Sequence, residues 1–321
     1  MKDTNYAYCV ARLRANETKM LNSQQMLKLT ECKSAEEAIN MLYSLGWTET
    51  KGTVNEIISE QSKSLWTLLY ESVPDKKELD VLCILNDFFN IKAAVKCHFT
   101  AEDPFKYFVY PSSLDLNELT DKINSHDFSS LSKEIGVTAE KAYEAACLTE
   151  NGQSAEIIVD KGAIDCLCEY SKAKKNSLVN EVCAFLCDTA NIKIAIRINA
   201  LGKSRDFAEI AIGNCSRLDR KTLIEKSLSD KESLFEYLLS SVYKDGVLLF
   251  EESSALYEKW CDDSLIKLLS KAKYTAFGFD PVCAYYFAKQ NEIKTVRIVL
   301  NAIASGLEPD TIKERVRLLY V

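Results

Sequence analysis

Glycine, proline and histidine are scarce in this chain. Its 321 residues include ten glycines, five prolines and two histidines. Sheet proteins need many turns, and glycine and proline are the residues that build them, so this scarcity argues against a β-sandwich or a β-barrel. Alanine, leucine, lysine, glutamate and serine are abundant instead, which is typical of helices. The composition predicts an all-α protein.

Long apolar runs and an excess of positive charge are also lacking. No stretch approaches the roughly 20 apolar residues that a membrane-spanning helix needs, and the polar start Met1-Lys2-Asp3 does not resemble a signal peptide. We therefore expect a soluble, cytoplasmic chain that meets a membrane only by docking on a protein within it. The net charge of −7 and the pI near 5.2 argue against nucleic-acid binding, which requires a dense basic surface.

Metal-binding patterns are absent from the sequence although it has twelve cysteines. There is no Cys-x-x-Cys pair, and two histidines are too few to complete a typical site. Most thiols fall at apolar positions of the helical pattern and are expected to act as small hydrophobic residues; these are Cys9, Cys83, Cys147, Cys166, Cys183, Cys187 and Cys283. Without a secretion signal we expect all of them to be reduced, and we predict no metal.

Catalytic motifs are incomplete. The segment Leu201-Gly202-Lys203-Ser204 ends like a phosphate-binding loop, but that loop needs a glycine five residues earlier, where this chain has Arg197, and it follows a strand. We interpret it as a turn between helices. His98 and His126 lie in no nucleophile-bearing motif. We expect no catalytic residue and no cofactor.

The most organised stretch runs from Asp280 to Gly306. Asp280 is predicted to cap a helix that Pro281 opens, and Gly306 offers a left-handed stop. Apolar residues between them recur at steps of three and four, which predicts one long amphipathic helix. Near its middle lies the triplet Glu292-Ile293-Lys294.

Related triplets occur twice earlier, as Asn90-Ile91-Lys92 and Asn191-Ile192-Lys193, and each interval is 101 residues. The register extends to flanking columns, namely Val81/Val182/Cys283, Leu85/Leu186/Phe287, Ala94/Ala195/Val296 and, in two copies, Asp87/Asp188. We interpret the chain as three tandem helical copies of about 100 residues. Their predicted bounds are 1–108, 109–205 and 206–321, and the last includes a C-terminal helix.

Several local signals predict where helices begin and end. Ser34 and Glu37 form a predicted capping box. Thr138 is predicted to cap a helix, and Asp245-Gly246 to end one. The tail from Pro309 to Tyr320 is predicted to be a basic amphipathic helix. Each copy is expected to finish in a hairpin of two long helices.

Basic residues follow the three isoleucines. They are Lys92, Lys193 and Lys294, with Lys96, Arg197 and Arg297 one helical turn later. If the copies surround an axis, these side chains would line a shared polar surface for a partner. The alternative is that they extend from the flanks of buried helices and keep their charges in water. The sequence leaves both possibilities open.

Motifs at both ends carry a family resemblance. The start reads Tyr6-Ala7-Tyr8-x-x-Ala11-Arg12-Leu13-Arg14-Ala15, the middle contains two Asp-x-x-Asn-Ile-Lys elements, and the end has Asn291–Arg297 followed by Ile312–Val321. Their order, with the length of the chain, resembles the C subunit of the bacterial and archaeal V/A-type rotary ATPases, the counterpart of the eukaryotic V-ATPase d subunit. Cys9 and Cys283 depart from the small apolar residue expected there.

The resemblance implies an all-helical, quasi-three-fold funnel without an active site. Such a protein sits peripherally on the cytoplasmic face of the membrane rotor ring, holds the central shaft in a socket and transmits torque for ATP-coupled ion transport. The implied partners are the D and F subunits of the central stalk and the proteolipid subunits of the ring, with the membrane stator subunit as a further candidate. The competing interpretation is an open helical-repeat scaffold that binds cytosolic partners. An enzyme on a helical frame lacks residues to support it.

Overall fold

A computed structural model describes residues 3–148, 152–173 and 178–321. Within these ranges the regular secondary structure consists of sixteen α-helices and four short 3-10 turns. The all-α prediction is confirmed. Across the same ranges, no helix is both long enough and apolar enough to span a bilayer.

The helices vary from seven to twenty-five residues in length. They are α1 (Ala7–Glu17), α2 (Ser23–Thr30), α3 (Ala35–Ser44), α4 (Val54–Ser72), α5 (Asp80–Thr100), α6 (Leu116–Ser125), α7 (Lys133–Leu148), α8 (Gln153–Ala173), α9 (Leu178–Ala200), α10 (Arg205–Ala211), α11 (Arg220–Ser227), α12 (Lys231–Leu239), α13 (Lys244–Glu252), α14 (Ser254–Leu269), α15 (Asp280–Ala304) and α16 (Pro309–Arg315). The isoleucine triplets lie on α5, α9 and α15, which we call the return helices.

The chain folds into two compact units. The first combines the two ends of the chain, Met1–Leu79 and Glu252–Val321, and the second is the continuous segment Asp80–Glu251. The division into three copies describes the sequence register and stays a prediction.

In the second unit, α8 packs against α5, α7, α9 and α10. The return helix α5 also contacts α6 and α7, which belong to the second predicted copy, and α9 contacts α10, α11 and α12 of the third. Ile84, Phe88, Ile91, Leu119 and Leu167 are among the residues of its apolar core. Each return helix in this unit therefore packs on helices that follow it in the sequence.

In the first unit, α15 is the central element. It contacts α14 and α16, which are near it in the sequence, and also α1, α2, α3 and α4 at the start of the chain. Val296, Val299 and Leu300 are fully buried and share one apolar cluster with Leu42 and Ile57. Complete burial of such a side chain contributes about 1.5–3 kcal/mol, so this helix accounts for much of the stability of the unit.

Two of the predicted helix ends are confirmed, and a third is displaced. The Ser34 hydroxyl accepts the Glu37 N–H at 3.1 Å, while the Glu37 carboxylate accepts the N–H of Lys33 instead of that of Ser34. Gly306 has φ +71°, the left-handed stop that was expected. Asp280 is not the cap of α15, because it is the first helical residue and Phe279 occupies the capping position. In the first turn its charge still favours the helix dipole.

Three other local predictions are wrong. Thr138 lies inside α7 and its hydroxyl donates to the Glu134 carbonyl at 2.8 Å, so it caps nothing. Gly246 is buried near the start of α13 and does not end a helix. The tail helix stops at Arg315, because the Leu318 N–H beyond it donates to Asp263 Oδ1 at 2.6 Å and holds the chain extended.

Candidate functional site

The three register isoleucines occupy buried positions on the return helices. Ile91 and Ile192 are 0% exposed and Ile293 is 4% exposed. Equivalent burial at a constant spacing is what the repeat alignment predicts. The residues beside these isoleucines can therefore be compared between copies.

Two of the register lysines form ion pairs with a neighbouring long helix. Lys92 Nζ lies 2.5 Å from Asp160 Oδ1 on α8, and Lys294 Nζ lies 2.7 Å from Asp262 Oδ2 on α14. The lysine side chains are 22% and 50% exposed, and pairs in such positions typically contribute about 0–1 kcal/mol. Their structural role is therefore modest, and their charges remain near the surface.

The other predicted cations are also near the surface. Lys193 is half-buried, whereas Arg197 and Arg297 are exposed. Lys96, one turn after Lys92, pairs with Glu156 at 3.0 Å. The predicted interface residues belong to both compact units, so their role as one shared surface stays a prediction.

A buried carboxylate on α5 holds the segment that follows this helix. Asp87 is 3% exposed. One of its oxygens accepts the Ser112 hydroxyl at 2.6 Å and the Ser113 N–H at 2.9 Å, and the other accepts the Ser113 hydroxyl at 2.6 Å. Burial raises the pKa of Asp87, and these hydrogen bonds oppose the increase. The side chain fixes the segment that leads into α6.

Asp188 plays the same part on α9. It is 0% exposed and accepts the backbone N–H groups of Ser216 and Arg217, each at 2.8 Å. It also accepts the Tyr243 hydroxyl at 2.8 Å. Burial, reinforced by the Asp188 charge, raises the pKa of Tyr243, which keeps this phenol a hydrogen-bond donor.

An asparagine three residues after each of these aspartates holds the same following segment. We call each of these Asp–Asn pairs an anchor. Asn90 accepts the Val109 N–H at 2.8 Å and donates to the Val109 carbonyl at 2.9 Å. Asn191 accepts the Gly213 N–H and donates to the Asn214 carbonyl, both at 2.9 Å. In both copies the amide pairs with a backbone donor and a backbone acceptor of a non-helical segment.

In the third copy the same register positions are Lys289 and Glu292. Glu292 is 0% exposed; its Oε1 accepts the Lys289 ammonium and the Trp47 indole N–H, each at 2.5 Å, and its Oε2 accepts the Leu21 N–H at 2.8 Å. The sequence reasoning missed this cluster. The available signal was the replacement of Asp and Asn by Lys and Glu in an otherwise matching register.

The Gly-Lys-Ser segment is a turn between α9 and α10, as predicted. Gly202 has φ +57°, a left-handed conformation that suits glycine. The Ser204 hydroxyl caps α10 by accepting the Phe207 N–H at 3.2 Å. Lys203 places its ammonium 5.2 Å from the centre of the Phe207 ring. The side chains of Lys203 and Ser204 thus each have a local structural contact.

Most cysteines are buried, as the helical pattern predicts. Burial raises the pKa of Cys9 to about 11 and that of Cys183 to about 12, so neither is a thiolate near neutral pH. Cys166 is half-buried and packs against the apolar core, as predicted, whereas Cys147 is exposed, which corrects the prediction for that residue. Among the described residues, no group of three or more His, Cys, Asp or Glu side chains is arranged to hold a metal ion.

Both histidines pack around one tyrosine. His98 Nδ1 lies 2.9 Å from the Asn124 side-chain oxygen and its Nε2 lies 3.3 Å from the Tyr143 hydroxyl. The His126 ring stacks on Tyr143 with 4.4 Å between ring centres. These contacts give both imidazoles a packing role in the second unit.

Comparison with known proteins places this arrangement in a family. Residues 9–315 match the family described as ATP synthase (C/AC39) subunit. The C subunit of the V-type sodium ATPase of Enterococcus hirae is 23% identical over 274 aligned residues, which cover 82% of this chain and 81% of the relative. The C subunits of the A-type ATP synthases of Thermococcus kodakarensis and Methanocaldococcus jannaschii are 24% and 22% identical, and the alignments cover 98% and 96% of this chain and 90% and 85% of the relatives. Since the family match spans nearly the whole sequence, the chain belongs to the ATP synthase (C/AC39) subunit family.

Proposed function

We propose that this chain is a non-catalytic part of the central rotor of a V/A-type rotary ATPase. In this role its three copies form a quasi-three-fold funnel that seats the central stalk, with its D and F subunits, on the membrane rotor ring of proteolipid subunits. It transmits torque for ATP-coupled ion transport and works at the cytoplasmic face of the membrane. The membrane stator subunit is a further candidate partner.

The family match carries this proposal. It extends over residues 9–315, and the relatives are by name the C subunits of a sodium ATPase and of ATP synthases. Coverage of 81–90% of each relative's length supports the same role for the whole chain and not for one segment alone.

Packing in the first unit favours a closed arrangement over the open scaffold. In an open array each repeat contacts only its neighbours, so the first and last repeats do not meet. Here α15, near the end of the chain, packs on α1 through α4 at its start. We propose that these contacts within the first unit keep the two ends of the chain together when the protein bears load.

The exposed register cations are the proposed partner surface. Arg197 and Arg297 are exposed, and Lys294 keeps half of its side-chain surface accessible. A long basic side chain can leave a weak surface ion pair for a partner carboxylate at little cost. We propose that these residues, with Lys92 and Lys193, contact the shaft or the ring.

Affinity isolation from native membranes tests the proposal. The tagged full-length chain should recover the stalk and ring proteins in mild detergent, and high salt should weaken the association if cations contribute to it. A tagged cytosolic protein of similar net charge is the control. Recovery of only cytosolic proteins would favour the scaffold instead.

The non-catalytic part of the proposal can be tested separately with Mg-ATP. Titration of the purified chain should give no saturable heat, because the Gly-Lys-Ser turn lacks the upstream glycine and its side chains are engaged locally. Lys203→Ala is the matched variant. Saturable binding by the parent that is lost in this variant would contradict the proposal.

A further inference from the structure

The cluster formed by Lys289, Glu292 and Trp47 is almost completely closed to solvent. Their exposures are 8%, 0% and 3%. The Glu292 carboxylate accepts from the Lys289 ammonium, the Trp47 indole and the Leu21 backbone. The Lys289 ammonium also lies 5.1 Å from the centre of the Trp47 ring, within range of a cation–π contact. The Gln61 side-chain amide holds the Trp47 carbonyl at 2.5 Å.

The cluster differs from the other two anchors in how far along the chain it reaches. Asp87, Asn90, Asp188 and Asn191 hold backbone groups that are 19 to 29 residues away. Glu292 holds Trp47 and Leu21 across 245 and 271 residues. On α5 and α9, the side chains at these register positions hold the segment that follows the helix. On α15, they hold residues near the start of the chain.

This difference in sequence separation has a physical consequence. The entropic cost of bringing two segments together increases with the logarithm of the loop between them. When a short-range anchor breaks, the covalent chain keeps both segments close and they rejoin readily. Leu21 and Trp47 are more than two hundred residues from Glu292, so only tertiary contacts keep these segments beside α15.

The chemistry of the cluster also differs from that of the other anchors. A buried carboxylate and a buried ammonium stabilise each other, and removing one leaves the other unpaired in a medium of low dielectric. A neutral Asn at position 292 would accept fewer charge-assisted hydrogen bonds and would leave Lys289 without its counter-charge. Removing either charge alone should therefore destabilise this cluster.

We propose that Lys289, Glu292 and Trp47 form a clasp that closes the first compact unit by fastening α15 to the N-terminal segment. This clasp carries load when the chain transmits torque, an inference that rests on the proposed function. Glu292 and Lys289 are positioning residues, which hold α15 to the N-terminal segment.

Hydrogen exchange of the full-length chain tests the clasp itself. In Glu292→Gln, amides of residues 20–48 and of α15 should exchange at least about tenfold faster, while those of α8 and α9 keep their protection, because the opening is local to one unit. The matched control is Asp188→Asn, since Asp188 is also 0% exposed and accepts hydrogen bonds from two backbone N–H groups, the Tyr243 hydroxyl and the Cys187 thiol. Its effect should be confined to the second unit, at α9, residues 213–217 and the surroundings of Tyr243.

If Glu292→Gln fails to fold, Trp47→Phe supplies the same test with a smaller perturbation. It removes one donor and leaves the ion pair intact. Faster exchange confined to α1, residues 20–48 and α15 supports the clasp. Unchanged exchange, or equal loss of protection in α8 and α9, overturns it.

Coupling in the assembled complex tests the load-bearing role. Glu292→Gln should lower the number of ions moved per ATP hydrolysed, whereas Asp188→Asn should have a smaller effect. A complex assembled without this chain distinguishes a failure of the proposed function from a failure of the clasp. If that complex remains fully coupled, the proposed function is wrong; if it is uncoupled but Glu292→Gln pumps like the parent, the clasp carries no load.

Discussion

The two compact units differ in the side chains that fix a return helix to another segment of the chain. In the second unit, a buried Asp and Asn on each return helix hold a segment that follows within 29 residues. In the first unit, the same register position holds residues at the opposite end of the chain through a buried Lys–Glu pair. The short-range anchors combine a buried carboxylate with a neutral amide, whereas the long-range contact combines a carboxylate with an ammonium. Positions that are equivalent in the sequence register can therefore hold either a neighbouring segment or a distant one.

The largest expected effect comes from placing a charge in the core of either unit. Ile192→Asp and Ile293→Asp should each cost several kcal/mol, because each buries an unpaired carboxylate. Ile→Val at either position should cost about 0.5–1.5 kcal/mol. Urea unfolding of the purified chain measures all four variants.

The loss of unfolding free energy should follow the same order in both units, with Asp more destabilising than Val. Because the two isoleucines are 0% and 4% exposed, their substitutions differ only in the surroundings of the return helix. An Ile293→Asp variant as stable as the parent would contradict the repeat alignment, and with it the comparison between the anchors.

A smaller effect is expected from removing the asparagine of one anchor. Asn191→Ala should cost about 1–3 kcal/mol, because the Gly213 N–H and the Asn214 carbonyl lose a buried partner. Asn90→Ala should cost a similar amount. Thermal or urea unfolding is the measurement. Asn301→Ala, on the exposed face of α15, is the control and should stay within about 0.5 kcal/mol. If Asn191→Ala matched this control, the anchor would contribute little.

The helices of both units could largely be predicted from the sequence, because apolar periodicity and caps are local signals. The long helix predicted to open at Pro281 begins one residue earlier in the structure, at Asp280. Failures occurred where tertiary contacts override a local signal. Gly246 looked like a stop but is buried with Val247 in α13. The tail looked helical, yet Asp262 and Asp263 bind Arg317 and Leu318 beyond Arg315.

The candidate site could also be predicted only in part, because its contacts are tertiary. The columns at 87/188 and 90/191 were visible as a shared register, but their partners on the following segments were not. Trp47 and Leu21 could not be connected with Glu292, since nothing local links residues that are 245 and 271 positions apart. Register identifies equivalent positions, whereas the group that each position holds depends on the tertiary fold.

Charge reversal at the register lysines should affect stability less than either of these changes. Replacing Lys92, Lys193 and Lys294 together by Glu should cost about 1 kcal/mol or less per site, because the pairs with Asp160 and Asp262 are partly exposed. Association with the stalk and ring should fall much more, since like charges meet at an interface. Melting of the isolated chain and co-sedimentation with membranes measure the two effects.

The outcome assigns the lysines to one role. A triple variant that unfolds shows that they are structural in both units. One that folds and still assembles removes them from the interface. Replacement by Gln at the same three positions is the matched control, because it removes the charges without reversing them.

The smallest expected effect is a change in thiol reactivity that distinguishes the two units without unfolding either one. Cys9 on α1 and Cys183 on α9 are 0% and 3% exposed, and burial raises their pKa values to about 11 and about 12. At pH 8 both should react with a maleimide far more slowly than the exposed Cys147, because the thiolate is the reactive form. In Glu292→Gln, Cys9 should react faster, since α1 packs on α15 and opens with it, while Cys183 should keep its rate. Mass spectrometry of timed labelling resolves each site, and Cys147 is the internal reference. Equal acceleration of Cys9 and Cys183 would mean that the two units open together, and the contrast between a short-range anchor and a long-range clasp would then have no counterpart in the dynamics of the chain.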